Sequence, residues 1–230
     1  MDITILTLFP NLFTPFLSTS IPARAAKKGL VNYQLVDIRT YGKGVHQVVD
    51  GRPFGGGPGM LLRADILAKA WKSAASLHRT STSSKPYTVL MSASGKPFNQ
   101  DTARKISRKK HLIIVCGHYE GVDQRFIDKY VSEEICVGDF VLSGGELPAM
   151  MVADAVVRLV PGVLKKDDAT VEESFSEGLL EYPQYTRPAV FEKTAVPGML
   201  LSGNHQEIDK WRREQSLVKT QNVRPELLKK

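Results

Sequence analysis

The sequence predicts an α/β fold built on a mostly parallel sheet, followed by a small helical domain. Three observations predict it. Apolar strand candidates alternate with helix candidates along residues 3–160, the order that places parallel strands in one sheet. The apolar strands lack polar alternation, as expected when helices cover both sheet faces. Three of them end in glycine-containing loops, at residues 92–95, 117–121 and 138–145. In a parallel sheet such loops share the edge where ligands bind.

The elements follow in order. Residues 3–9 read as a strand closed by Pro10 and Asn11. Residues 22–28 read as a helix stopped by Gly29. Residues 31–39 alternate enough to suggest a less buried strand. Residues 50–60 contain five glycines in eleven positions. This loop lacks the Gly-Lys-Ser/Thr ending of a phosphate-binding P-loop, which excludes that NTPase motif. It reads as a mobile loop or one ordered by substrate, with Asp50 and Arg52 placed to meet it and Arg52 reaching a phosphate.

Ile66, Leu67, Ala70, Trp71 and Ala74 form a helical stripe within residues 61–77. A polar loop is expected at 80–85, a buried strand at 87–93, and a basic helix at 99–110 capped by Asn99. The most apolar strand is 112–116, followed by a helix at 122–131 and a strand at 135–137. The stretch 137–154 organises the rest: apolar yet rich in glycine, it can line a dry pocket with backbone groups facing a ligand. A tight buried turn is the alternative. Pro148 is expected to open a helix that Pro161 and Gly162 stop at residue 160.

Three divisions follow: an α/β domain at 1–162, a charged linker at 163–183 and a basic helical domain at 184–230. Asn204, with Glu207 three residues on, resembles a capping box. Lys210, Arg212, Arg213 and Lys219 make the following helix basic, and Pro225 opens a last short one. With 42% hydrophobic residues the chain can build a core, and its net charge of +7 favours a polyanionic partner such as nucleic acid. Cys116 and Cys136 form no Cys-x-x-Cys pair and read as reduced core thiols of a cytosolic protein. The N-terminal apolar run reads as a strand rather than a signal peptide, and no run approaches a membrane span.

Six motifs then appear in one order: Gly-Gly-Gly-Pro-Gly-Met at 55–60, Cys-Gly-His-Tyr-Glu-Gly-Val-Asp at 116–123, Gly-Asp-Phe-Val-Leu-Ser-Gly-Gly-Glu-Leu-Pro at 138–148, Tyr-Thr-Arg-Pro at 185–188, Leu-Ser-Gly-Asn-His at 201–205 and Arg-Pro-Glu-Leu-Leu at 224–228. Together they closely resemble the bacterial tRNA (guanine-N1)-methyltransferases, the TrmD family of the SPOUT superfamily. The likeness runs along essentially the whole chain.

The resemblance implies a SPOUT-type sheet with a deep trefoil knot, a small all-α C-terminal domain, and a cytoplasmic homodimer with active sites between subunits. It implies bent S-adenosylmethionine as methyl donor and N1 of the tRNA guanosine just 3′ of the anticodon as acceptor. It carries the cofactor site onto Ser92, Ala93 and Gly95, onto Gly117, Tyr119, Glu120 and Gly121, and onto Val137, Gly138, Asp139, Phe140, Val141, Leu142, Gly144, Gly145 and Pro148.

By resemblance Arg158 is the catalytic arginine and Glu173 stands where the family has its aspartate base. A helix ion pair with Asp154 is the alternative for Arg158, and Asp154 could also aim its guanidinium at the substrate. A solvated tether charge is the alternative for Glu173, with Glu172, then Asp167 and Asp168, as competitors. Lys210, Arg212 and Arg213 are candidates for tRNA contact. Ala93 stands where the family usually has proline, and a shorter C-terminal end implies a reduced tRNA footprint. The family activity involves Mg²⁺, but no paired carboxylates stand at ligand spacing, so no metal ligand is assigned and His118 reads as a structural or cofactor-loop residue. A non-catalytic RNA-binding module and a SPOUT enzyme acting on another RNA base are the remaining alternatives.

Overall fold

The computed structural model describes residues 1–77, 85–165 and 173–229. Most of the expected polar loop, together with Asp167, Asp168 and Glu172, lies outside the described residues. The chain divides into two compact units, Met1–Lys165 and Lys166–Lys230.

In chain order the strands are β1 (Asp2–Thr7), β2 (Asn32–Asp37), β3 (Asp50–Gly51), β4 (Leu61–Leu62), β5 (Tyr87–Pro97), β6 (His111–Cys116), β7 (Glu133–Cys136), β8 (Val190–Phe191) and β9 (Thr194–Ala195). The α-helices are α1 (Phe13–Leu17), α2 (Ser20–Lys27), α3 (Ala64–Ser76), α4 (Gln100–Ser107), α5 (Gln124–Tyr130), α6 (Glu146–Val157) and α7 (His205–Val223).

The first unit is a five-stranded sheet of order β2-β1-β6-β5-β7, with every pair parallel. All six residues of β1 and of β6 are buried. Strand side chains point alternately to opposite faces. Leu112, Ile114 and Cys116 therefore join a core with α1, α2, α4 and α6, while Ile113 and Val115 join one with α3 and α5. Two apolar faces explain why these strands show no polar alternation. Edge strand β2 is only half-buried, as its alternation suggested. α6 packs five fully buried residues, Ala149, Val152, Ala153, Val156 and Val157, against the sheet. Each fully buried valine contributes about 1.5–3 kcal/mol.

Several boundaries differ from the sequence reading, each for a local reason. Leu61 and Leu62 form β4 against β3, and the extended Arg63 starts α3 only afterwards. β5 does not end at residue 93. Met91 and Lys96 both pair with Ile135, so residues 92–95 bow out within the strand rather than follow it. At Gly95 a Cβ would fall 2.5 Å from the Ile135 nitrogen, so a side chain there would push the strands apart. Pro148 does not open α6. Gly145 is the N-cap, Glu146 the first residue and Pro148 the third, a position whose N–H also lacks an intrahelical partner. Asn99 caps α4 as expected, its side-chain oxygen accepting from the Thr102 N–H at 2.9 Å.

In the second unit Asn204 caps α7, accepting from the Glu207 N–H at 3.5 Å. The buried Thr220 hydroxyl donates to the Ser216 carbonyl at 2.7 Å and accepts from the Leu180 N–H at 2.9 Å. Leu180, in the stretch expected as linker, is thereby hydrogen-bonded to α7. The unit is not all-helical: β8 and β9 form a hairpin turned by Glu192 and Lys193, both with positive φ. Two-residue strands are too short for a periodic signal, and neither turn residue is the glycine or asparagine that such turns favour. Pro225 opens the last short helix as expected, a 3₁₀ turn spanning Pro225–Lys229.

Candidate active site

Three loops meet at the carboxyl edge of the sheet. Residues 117–121 leave β6, residues 137–145 leave β7, and residues 92–95 bow from β5. Their backbones touch. The Gly145 N–H donates to the Gly117 carbonyl at 2.8 Å, and His118 and Gly144 form an antiparallel bridge. A Cβ on Gly145 would lie 2.7 Å from the Gly117 nitrogen, and one on Gly117 would lie 2.9 Å from the Met91 oxygen. Glycine is thus required by close approach at both positions.

The loops enclose a cleft of about 480 Å³, within the range of small-molecule sites. Ser92, Ala93, Gly117, Tyr119, Glu120, Gly121, Val137, Gly138, Phe140, Val141, Leu142, Gly144, Gly145 and Pro148 line it. Gly95 and Asp139 do not. Gly95 instead packs on Ile135, and Asp139 is exposed. Gln124 and Glu134 line the cleft from α5 and β7. Sequence reasoning missed them because neither belongs to a glycine loop.

A buried acid lies behind the wall. Glu146 is 4% exposed. It accepts from the Thr7 hydroxyl at 2.9 Å, and its other oxygen stands 3.8 Å from His118 Nε2. As the first residue of α6 it sits where the helix dipole favours a negative charge. A Cβ on Gly144 would come within 2.5 Å of that carboxylate. His118 lines the cleft and packs between Phe9 and Tyr119, with ring centroids 5.2 and 5.3 Å away. Burial, then the Glu146 charge, pushes the Cys116 thiol up.

Tyr119 adopts a left-handed φ of +60°, a cost of about 1–3 kcal/mol for a residue with a side chain. Burial, then the adjacent Asp50, pushes its hydroxyl up, and Arg39 opposes that shift. Asp50, on β3, therefore stands beside the cleft-lining Tyr119. The glycine loop at 55–60 is tied to the same wall by the Glu120 N–H, which donates to the Met60 carbonyl at 3.0 Å.

The other candidates lie elsewhere. Arg52 lines a separate groove. Arg158 is the C-cap of α6, thirteen residues from Gly145, or about 20 Å at 1.5 Å per residue. A single chain therefore does not bring Arg158 to its own cleft. The Asp154 charge bears on the buried Tyr33 hydroxyl, already pushed up by desolvation. Glu173 lines a small cavity of about 260 Å³ within the second unit, together with Arg212 and Arg213. Arg212 pairs with Asp209 at 3.2 Å and lies over the Tyr182 ring. Arg213 stands 3.9 Å from Glu177, and Lys210 is exposed. Among the described residues no three His, Cys, Asp or Glu side chains are grouped to hold a metal, and no helix is long and apolar enough to cross a membrane.

Against known proteins, the family model described as tRNA (Guanine-1)-methyltransferase TrmD matches residues 1–230. The chain belongs to this family. Its relatives include the tRNA (guanine-N(1)-)-methyltransferase of Moorella thermoacetica, 50% identical over 99% of this chain and 90% of the relative. The proteins of the same name from Ruminiclostridium cellulolyticum and Staphylococcus carnosus are each 47% identical over the full chain, covering 97% and 91% of the relatives. The cleft and its glycine loops are thus features of a TrmD-family chain.

The polar network behind the cleft makes a stability prediction. Glu146→Ala removes the acceptor for Thr7 and lowers stability by about 1–3 kcal/mol. Glu146→Gln keeps an oxygen for Thr7 and loses less. Urea unfolding with matched slopes reads the difference, and equal stability of wild type and both variants would contradict it.

Proposed function

We propose that this chain transfers a methyl group from S-adenosylmethionine to N1 of the tRNA guanosine just 3′ of the anticodon, position 37. The observation that carries this reading is the convergence of three glycine-containing loops on one cleft in a TrmD-family chain. The residues there fit the donor. Phe140, Leu142 and Val137 offer an apolar slot for adenine, and glycine positions leave backbone N–H and C=O groups open beside it. When bound, S-adenosylmethionine supplies an electrophilic methyl on a positive sulfonium, so its departure needs no acid.

The acceptor does need help, because N1 of neutral guanine carries a proton. Glu173 takes that proton as general base, a role worth roughly 10²–10⁴-fold in rate. Glutamate is one methylene longer than the family aspartate but offers the same carboxylate. Guanine O6 gains negative charge as N1 loses its proton, and the Arg158 guanidinium stabilises it. Asp154, one turn before Arg158 on α6, aims that guanidinium. Gly95 and Asp139 complete the cofactor site as loop residues rather than as walls.

The working unit is a homodimer with active sites between subunits. Two observations support it. Arg158 lies a helix length from its own cleft. Leu147 and Met151, one turn apart on α6, are 61% and 52% exposed, an apolar face for a second copy. The deep trefoil knot of SPOUT enzymes is part of the same reading. It is supported by the chain after β7 lying against residues 116–117. The second unit, with Lys210, Arg212 and Arg213 on α7, meets the tRNA backbone. Such an enzyme works in the cytoplasm, and Mg²⁺ belongs in its assay although no ligand for it is assigned.

Labelled methyl transfer to a tRNA transcript, with Mg²⁺ present and the product mapped by nucleoside mass spectrometry, tests the activity. The expected product is N1-methylguanosine next to the anticodon; no transfer, or a different modified base, sinks the proposal. Glu173→Gln and Arg158→Ala cut transfer by about 10²–10⁴-fold while the calorimetric heat of S-adenosylmethionine binding is kept. Sedimentation equilibrium gives twice the chain mass, and an active monomer would contradict the shared site.

A further inference from the structure

A second concavity of about 680 Å³ lies on the other side of α5. Gln124 and Ile127 of α5 line the glycine-loop cleft, whereas Arg125 and Lys129 of the same helix line this groove. The strand β3, the loop after it and the start of α3 form the other walls. No lining residue is shared with the first cleft.

Its charges are ordered. Arg63 makes a two-pronged contact with Asp65 at 3.1 and 3.2 Å, and Lys43 reaches the same carboxylate at 2.7 Å. Arg125 grips Asp123 in the same way, at 2.9 and 2.6 Å. Both carboxylates are held below their usual range by these donors. A guanidinium has five N–H donors, so a two-pronged pair leaves three for another acceptor. Pinning by the acid also lowers the cost of ordering the side chain when that acceptor arrives. The exposed Arg52 and Lys129 add two further cations. The lining therefore holds four cations against two acids.

Phe54 stands at the rim and is 96% exposed. The following Gly55, Gly56 and Gly57 all take positive φ, so the ring is presented on a turn that a bulkier residue would strain. A fully exposed phenylalanine beside cations is the pairing that single-stranded nucleic acid uses: bases stack on the ring while phosphates meet the charges.

We propose that this groove seats the RNA strand flanking the methylated guanosine, with Phe54 stacking an unpaired base and Arg125 and Lys129 meeting successive phosphates. The inference rests on the tRNA reading above and adds a site to it. α5 is then the divider over which the strand passes, one base entering the cleft and its neighbours lying in the groove.

Binding of an unmodified tRNA transcript by the full chain, over a series of KCl concentrations, tests it. In the double variant Arg125→Gln/Lys129→Gln, the slope of log K against log salt falls by about 1.4, two single-strand contacts at roughly 0.7 each. Phe54→Ser weakens binding roughly tenfold with the slope unchanged. In methyl transfer each raises KM for tRNA by its own factor and leaves kcat alone. The heat of S-adenosylmethionine binding reports intact folding. If the double variant loses that heat, the exposed single change Lys129→Glu decides, with a weaker affinity and a lower slope expected. Variants with wild-type affinity and slope overturn the groove, as does lost activity at unchanged tRNA affinity, which would mark a partner other than RNA. Wild-type protein that neither binds nor methylates tRNA instead sinks the functional reading itself.

Discussion

The hydrogen bond from the Gly145 N–H to the Gly117 carbonyl, 2.8 Å long, joins the loops that leave β6 and β7. Everything at the carboxyl edge depends on that backbone contact. It brings two loops closer than side chains would allow, since a Cβ on Gly145 would fall 2.7 Å from the Gly117 nitrogen. It also sets where α6 starts, because Gly145 is the N-cap of that helix. The cleft is what remains between loops locked in this way. A ligand there meets main-chain groups already fixed in place, so little ordering cost is left to binding.

The lock has a second layer beneath it. Glu146 follows Gly145 directly, turns its carboxylate inward, and is held by Thr7 from β1 with His118 close by. Three strands, β1, β6 and β7, are thereby coordinated through one acid at the head of α6. Burying a carboxylate costs free energy unless it is hydrogen-bonded. The Thr7 hydroxyl and the helix start offset that cost. Gly144 must then be glycine, since its backbone passes against the carboxylate.

Much of this was legible in the sequence. Unbroken apolar runs such as 112–116 marked strands buried on two faces, and the parallel sheet follows from their alternation with helices. Asn99 and Asn204 marked real helix caps. What stayed hidden depended on contacts distant along the chain. Residues 92–95 read as the end of a strand because nothing local shows β5 resuming against β7 at Lys96. Glu146 read as one letter of a motif, because its inward turn depends on Thr7, 139 residues away. The hairpin of β8 and β9 was too short to show a period. Arg158 illustrates the opposite case. Its place at the end of α6 was readable, but only the folded cleft at the other end of that helix shows how far it stands from its own site.

The interlocked glycine loops are proposed above as the methyl-donor site. Hydrogen–deuterium exchange of the full chain, with and without saturating S-adenosylmethionine, tests it most directly. Slowed exchange is expected to concentrate in residues 92–95, 117–121 and 137–145, with the groove beyond α5 unchanged. Protection centred anywhere else, or none at a donor concentration that supports methyl transfer, would contradict it.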